Sequence, residues 1–264
     1  MLTWNRGKSY HLRSRAEIQA CERQRLGGAA FFVVFSTAKA VRPLHIPTAT
    51  ALPLHSSARF FRLLSADCGP NVFNPWTQRD ERNDGALNGP AARRERLRAH
   101  LGVQPAQILI GEAAGYQGCR ITGVAFTSER LVMAGTVPRI TCRGLRLSTR
   151  HIPWSEPSAT IVWNTLHTLG IAQNTILWNA FPWHPHKSNS PQSNRTPTRS
   201  ERLLGLIVLD VLLGTSPKAT VFAVGRHAES MLHEVGRAAI PLRHPSMGGA
   251  VLFRRGLRRA LMAK

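Results

Sequence analysis

Short apolar runs and longer amphipathic segments alternate along the second half of the chain. The short runs are bounded by glycine, proline or polar residues, as buried strands are, whereas the longer segments repeat their apolar residues at a helical spacing. We predict strands at 107–110, 175–180, 219–224 and 240–242, and helices at 91–101, 158–169, 198–213, 226–235 and 250–262.

The order of these elements indicates the fold class. Strands separated by helices of this length pair in parallel and carry helices on both faces of the sheet. We therefore predict an α/β fold, a three-layer α/β/α sandwich around a central, mostly parallel four-stranded sheet. Ligands of such sheets bind beyond the carboxyl ends of the strands.

The first 56 residues do not follow this pattern. They mix arginine, serine, proline and small residues without sustained periodicity. Such a composition is typical of a segment that buries little apolar surface. We predict a poorly ordered basic extension at 1–56 and one folded domain at 57–264.

The chain is strongly basic, with 35 Lys and Arg against 14 Asp and Glu and a formal net charge of +21. A field of this sign attracts phosphate backbones, so nucleic acid is the leading partner. A basic soluble protein without such a partner and a protein of anionic membrane surfaces are the alternatives.

The cysteines and the apolar stretches exclude several classes of protein. Cys21, Cys68, Cys119 and Cys142 are widely spaced and form no CxxC pair, so we expect no metal and no cofactor. Because the cysteines form no dense pattern, we expect a reducing, cytoplasmic compartment. No apolar stretch reaches the roughly 20 residues that span a bilayer, so we expect no membrane span.

Three loops that follow predicted strands carry residues able to do chemistry. The first is glycine-rich, 111–118, and contains Glu112; the second holds Asn179, and the third holds His244. Glycines let backbone approach a ligand, an amide offers a donor and an acceptor to a base edge, and an imidazole can stabilise negative charge. Each feature alone is more often structural, as a turn, a cap or a packed histidine. Their coincidence at one sheet edge favours a site.

These loops, in this order, resemble the uracil-DNA glycosylase superfamily over roughly 57–264. Gly-Glu-Ala-Ala-Gly at 111–115 is similar to the first signature, and to its Gly-Glu-Ala-Pro-Gly form in particular. The stretch 120–129 resembles the segment that carries the stacking phenylalanine. His-Pro-Ser at 244–246 resembles the second signature, and Asn-Arg-Thr-Pro-Thr at 194–198 the entry to a helix.

The resemblance implies roles for individual residues. Asn179 would read the uracil edge, Gly111 would contact the base, Phe126 would stack on the ring, and His244 would hydrogen-bond uracil O2 as charge builds there. Arg243 and Ser246, at the second signature, and Arg195, at the helix entry, would contact DNA. Met247 stands nearest to the leucine that fills the vacated base stack in relatives.

The chain departs from the family pattern at three places. It lacks the cysteine spacing of the iron–sulfur members, so we expect no cluster. Ala113 occupies the position of the water-activating aspartate, which leaves Glu112, the preferred candidate, and Glu129 for that role. Gly115 occupies the position of the tyrosine that excludes thymine. Selectivity for uracil would therefore depend on Tyr116, or no residue would contact the base closely enough to exclude thymine.

The expected activity is that of a monomeric, monofunctional hydrolase that flips uracil out of DNA and cleaves its N-glycosidic bond. The alternative is a protein that binds uracil-DNA or abasic sites without hydrolysis. Covalent capture is disfavoured because the loop before Thr196 has no adjacent histidine. A third hypothesis, a nucleotide-binding protein unrelated to repair, predicts affinity for mononucleotides.

Overall fold

A computed structural model describes residues 57–142 and 144–263. The predicted extension at 1–56 lies outside the described residues. The strands of the central sheet are β2 (Gln107–Ala113), β3 (Thr175–Phe181), β5 (Thr220–Val224) and β6 (Ile240–Leu242). They lie in the order β3-β2-β5-β6, and every neighbouring pair is parallel.

Helices cover both faces of this sheet. In chain order they are α1 (Ala58–Leu64), α2 (Pro90–Leu101), α3 (Cys119–Thr122), α4 (Glu129–Met133), α5 (Pro157–Thr168), α6 (Arg199–Gly214), α7 (Arg226–Glu234) and α8 (Ala250–Met262). A 3-10 turn at Ala172–Asn174 leads into β3. The α/β/α fold with a parallel sheet is therefore confirmed.

The two faces of the sheet form two separate apolar clusters. On one face, Ile108 and Ile110 pack with residues of α1, α2, α6 and α7. On the other face, Leu109 packs with residues of α5 and α8 and of the segment between α3 and α5. Successive side chains of β2 alternate between the two clusters from Ile108 to Ile110, and Ala113, at the end of the strand, packs with the cluster of Ile110.

A second, smaller sheet lies outside the central one. Strand β1 (Val72–Phe73) pairs antiparallel with β4 (His184–Pro185). These strands tie the segment before α2 to the loop that follows β3.

Two linked buried ion pairs connect α2 and the start of α3 to the segment before α2, since the backbone N–H of Asp80 donates to Asp84 Oδ2. Arg93 of α2 contacts Asp84 at 2.6 Å, and both side chains are fully buried. Arg120 of α3 contacts Asp80 at 2.8 Å. Breaking one partner of such a buried pair is costly, so the network fixes the start of α3 to the body of the domain.

Candidate active site

A cavity of about 1300 Å³ opens at the carboxyl ends of the four strands. It is lined by residues at or near the end of each strand and by the loops that follow, among them Glu112, Phe126, Glu156, Asn179, Asn194, Arg226, Arg243, His244 and Met247. This is the edge at which the sequence predicts a ligand site.

Asn179 presents a free amide to this cavity. The residue is only 5% exposed, and no described residue hydrogen-bonds its side chain. It lies beside Gly111 in the register of β3 and β2, so the two residues share a face of the sheet. A buried amide without a protein partner is costly unless a ligand satisfies it.

Phe126 forms a wall against the same glycine. A Cβ added to Gly111 would lie 2.6 Å from Phe126 Cζ and 2.8 Å from Asn179 Oδ1. Only glycine leaves room here for both side chains. Phe126 itself has a φ of +48°, in the left-handed region that side chains avoid.

His244 completes this arrangement from the loop after β6. Its ring lies 6.2 Å from that of Phe126, measured between centroids. The backbone N–H of Ser246 donates to His244 Nδ1 at 3.2 Å, which makes Nδ1 an acceptor and leaves the proton on Nε2. Burial, followed by the charge of Arg243, lowers the pKa of His244, so the ring is neutral at neutral pH.

Three acidic residues also line the cavity, namely Glu112, Glu156 and the exposed Glu229 of α7. Glu112 has one buried oxygen, Oε1, without a hydrogen-bond partner among the described residues. Glu156 immediately precedes α5, and its Oε2 lies so close to Gly118 that an added Cβ would sit 1.8 Å from it. Burial raises the pKa of Glu156 to about 7. Sequence reasoning missed Glu156, and the signal was an acidic residue just before a proline that starts a helix.

The model of the uracil DNA glycosylase superfamily matches residues 99–250, more than half of the chain. The chain belongs to this superfamily. Its members are DNA glycosylases, hydrolases that act on DNA in base excision repair. No curated protein matches the chain in sequence.

Solved structures show the same fold. The crystal structure of wild-type SMUG2 from Pedobacter heparinus is 14% identical to this chain, with a TM-score of 0.53. The match covers 75% of this chain and 90% of that one. At this identity the likeness shows the fold of the glycosylase superfamily and no finer property.

Two further observations concern metals and membranes. Within 57–142 and 144–263, no group of three or more His, Cys, Asp or Glu side chains could hold a metal ion. Over the same residues, no helix has the length and hydropathy needed to cross a bilayer.

Glu129 lies elsewhere than the glycosylase resemblance implies. Its side chain is fully buried and absent from the cavity wall. Its Oε1 accepts from the backbone N–H groups of Leu147 and Ser148, and its Oε2 accepts from Ser148 Oγ and the N–H of Trp154. Arg146 adds an ion pair at 3.1 Å. No oxygen remains to hold a water, so Glu129 is a structural residue, which corrects the expectation of a catalytic role.

We expect Glu129→Ala to lower the free energy of unfolding by at least about 3 kcal/mol, since it leaves three backbone N–H groups buried without partners at about 1–3 kcal/mol each. Urea unfolding of both proteins measures the difference. A change within about 0.5 kcal/mol, as at ordinary surface sites, would contradict the structural role.

This stabilisation is also expected to depend on pH. Burial opposes ionisation of Glu129, but hydrogen bonds from Ser148, Trp154 and Leu147 outweigh it and hold its pKa below the usual value. The stabilisation is therefore complete above the ordinary glutamate pKa and is lost as pH falls through the depressed one. The difference in the free energy of unfolding between wild type and Glu129→Ala should therefore decrease at acid pH.

Of two other predicted residues, Arg195 lines the cavity and Tyr116 does not. Tyr116 does not line it, because its ring packs edge-on against Trp154 and its backbone N–H binds Asn194 Oδ1. Arg195 lines the cavity, but its guanidinium is held by both oxygens of Glu201 at 2.7 Å. Thus the structure places Tyr116 outside the cavity lining, and it places Arg195 where it braces the entry to α6.

The remaining predicted residues lie on the rim. Met247 is 90% exposed and has a φ of +51°. Arg243 is exposed beside it, and the hydroxyl of Ser246 lies 2.7 Å from His244 Nδ1. Exposed apolar and cationic side chains therefore surround the entrance to the Asn179, Phe126 and His244 pocket.

Proposed function

We propose that this protein is a monofunctional DNA glycosylase that flips uracil out of DNA and hydrolyses its N-glycosidic bond, leaving an abasic site. The observation that carries the proposal is the convergence of Asn179, Phe126 and His244 on one cavity at the sheet edge. A free amide, an aromatic face and a neutral imidazole are the groups that reading, stacking and expelling a uracil require.

In this proposal Asn179 reads the base. An amide offers one acceptor and two donors, which suit the imide N–H and an adjacent carbonyl of uracil. Its burial makes the reading selective, because a base with the wrong pattern leaves the amide unpaired at a cost of about 1–3 kcal/mol. Phe126 holds the ring in plane by stacking.

His244 stabilises the leaving group. Cleavage of the bond from the sugar to N1 leaves negative charge on uracil. This charge spreads to O2, a carbonyl oxygen on the ring atom next to N1. The proton of His244 is on Nε2, and no described residue accepts it, so it is available to donate to that oxygen. A donor placed in advance lowers the barrier because it needs no reorganisation when charge develops.

The rim residues and the overall charge support DNA as the partner. Extruding a base costs a few kcal/mol, which backbone contacts and a side chain filling the gap can offset. In this proposal Met247, which is exposed on the rim, fills the base stack, and Arg243 contacts phosphate. The net charge of +21 favours association with DNA at low salt.

A cleavage assay tests the activity. An end-labelled duplex with one uracil, incubated with the protein and EDTA and then treated with alkali, is expected to break at the uracil. Duplexes with thymine or cytosine at that position are the controls and should stay intact. Intact uracil strands at micromolar protein would contradict the proposal. A gel shift of the uracil duplex without breakage would favour the non-hydrolytic binding alternative.

A further inference from the structure

Three acidic residues line the cavity: Glu112 in β2, Glu156 before α5 and the exposed Glu229 of α7. Gly111 shares a face with Leu109, in the cluster that contains Phe126. Glu112, the next residue, has one buried carboxylate oxygen, Oε1, without a hydrogen-bond partner among the described residues.

Glu156 lies on the side of the proposed base pocket. The helix it precedes, α5, packs in the same cluster as Phe126. A Cβ added to Gly118 would meet Glu156 Oε2 and would also lie 3.2 Å from the carbonyl oxygen of Thr127, the residue after Phe126. Gly118 is the last glycine of the loop that starts at Gly111, so Glu156 and the base-reading residues border one loop.

The carboxylate of Glu156 is not used by the fold. It stands at the N-cap position of α5 but does not cap the helix, and no described residue hydrogen-bonds its oxygens. The residues that ordinarily bond to the first turn from this position are Ser, Thr, Asp and Asn, so a glutamate here is free to face elsewhere. Here it lines the cavity instead.

We propose that Glu156 is the general base of the hydrolysis, an inference that rests on the proposed function. One proton of the attacking water passes to the carboxylate as the water oxygen bonds to C1′ of the sugar. The bond from C1′ to N1 of uracil breaks, and its electron pair leaves with the base, whose O2 receives the hydrogen bond from His244.

The charged groups around Glu156 set the pH range of this step. Burial alone raises its pKa to about 7, so the carboxylate forms as pH rises through neutrality. Cys119 of α3 is buried beside it with a raised pKa, which burial causes first and the Glu156 charge second. His244, across the cavity, has a lowered pKa. The other ionisable groups on the cavity wall are Glu112, Arg195, Arg226, His227, Glu229 and Arg243.

Single-turnover uracil excision from about pH 5 to about pH 9 tests the assignment. The wild-type rate is expected to fall about tenfold for each pH unit below about 7, as the base becomes protonated. Glu156→Gln should excise uracil about 10²- to 10⁴-fold more slowly. Its rate should also no longer fall at acid pH, a fall that we call the acid limb of the pH profile. Glu112→Gln should keep the acid limb. An acid limb that survives in Glu156→Gln, or that disappears in Glu112→Gln instead, would overturn the proposal.

Two controls separate this test from folding and from the parent proposal. Glu156→Asp keeps a carboxylate and is expected to retain an acid limb at a reduced rate, whereas a flat profile would contradict the base role. Glu95→Gln, on the exposed face of α2, should behave as wild type, and thermal unfolding reports the folding of each variant. If wild type itself does not excise uracil, the proposed function fails, whereas failure of the base assignment requires an active wild type.

Discussion

Replacing His244 with alanine is expected to slow uracil excision by about 10²- to 10³-fold, the usual loss on removing one preorganised donor. The imidazole is neutral, and Ser246 fixes its proton on Nε2, so the side chain acts when charge develops on the base. DNA affinity should change little, because the ring lies inside the cavity rather than on its rim. Single-turnover kinetics on a uracil duplex and anisotropy on the matching thymine duplex measure the two effects.

A histidine on the surface provides the matched control for this variant. His233→Ala, at an exposed position near the end of α7, should leave both quantities unchanged. Excision by His244→Ala at the wild-type rate would remove the histidine from the mechanism. A loss of DNA affinity as large as the loss of rate would instead make it a binding residue.

Adding one methyl group at Gly111 is expected to reduce kcat/KM by about 10²-fold, the size of effect that follows a misplacement of about 1 Å. The new Cβ would lie 2.6 Å from Phe126 Cζ and 2.8 Å from Asn179 Oδ1, so both side chains must shift from their positions in the pocket. Steady-state excision assays with the Gly111→Ala variant give the value directly.

Gly214→Ala is the corresponding control, because nothing lies within 4 Å of a Cβ at this helix end. It should excise uracil as wild type does. If Gly111→Ala retained full activity, the Phe126 ring and the Asn179 amide would accommodate the added methyl group. The close approach of these side chains to Gly111 would then have no role in base recognition.

The fold was largely predictable because burial leaves a periodic pattern in the sequence. Strand β3 was expected at 175–180 and spans Thr175–Phe181, and α6 was expected at 198–213 and spans Arg199–Gly214. Strand β2 was expected to stop at Ile110 but continues to Ala113. The residues added have no apolar signature, since their place in the sheet depends on pairing with β3. For the same reason the two-residue strands β1 and β4 were not predicted.

The site was predictable only where a motif marks it. Asn179, Phe126 and His244 line the cavity as the resemblance implied, although their roles stay predictions. The acidic residues were harder, because a glutamate in a loop looks the same in sequence whether it binds backbone N–H groups or faces a cavity. Glu129 does the first and Glu156 the second, and only the packing of distant segments separates them.

Phe126 has a strained, left-handed backbone at a position where its ring forms part of the cavity wall. A phenylalanine there holds its main chain in a conformation that costs of the order of 1–3 kcal/mol, and neighbouring contacts must supply the compensation. Glycine would relieve this strain, but it would also remove a ring that is 6% exposed and packed in the apolar core, and losing such a ring costs about 3–5 kcal/mol. Burial of the ring therefore offsets the strain of its own backbone, and one side chain serves both the core and the cavity wall.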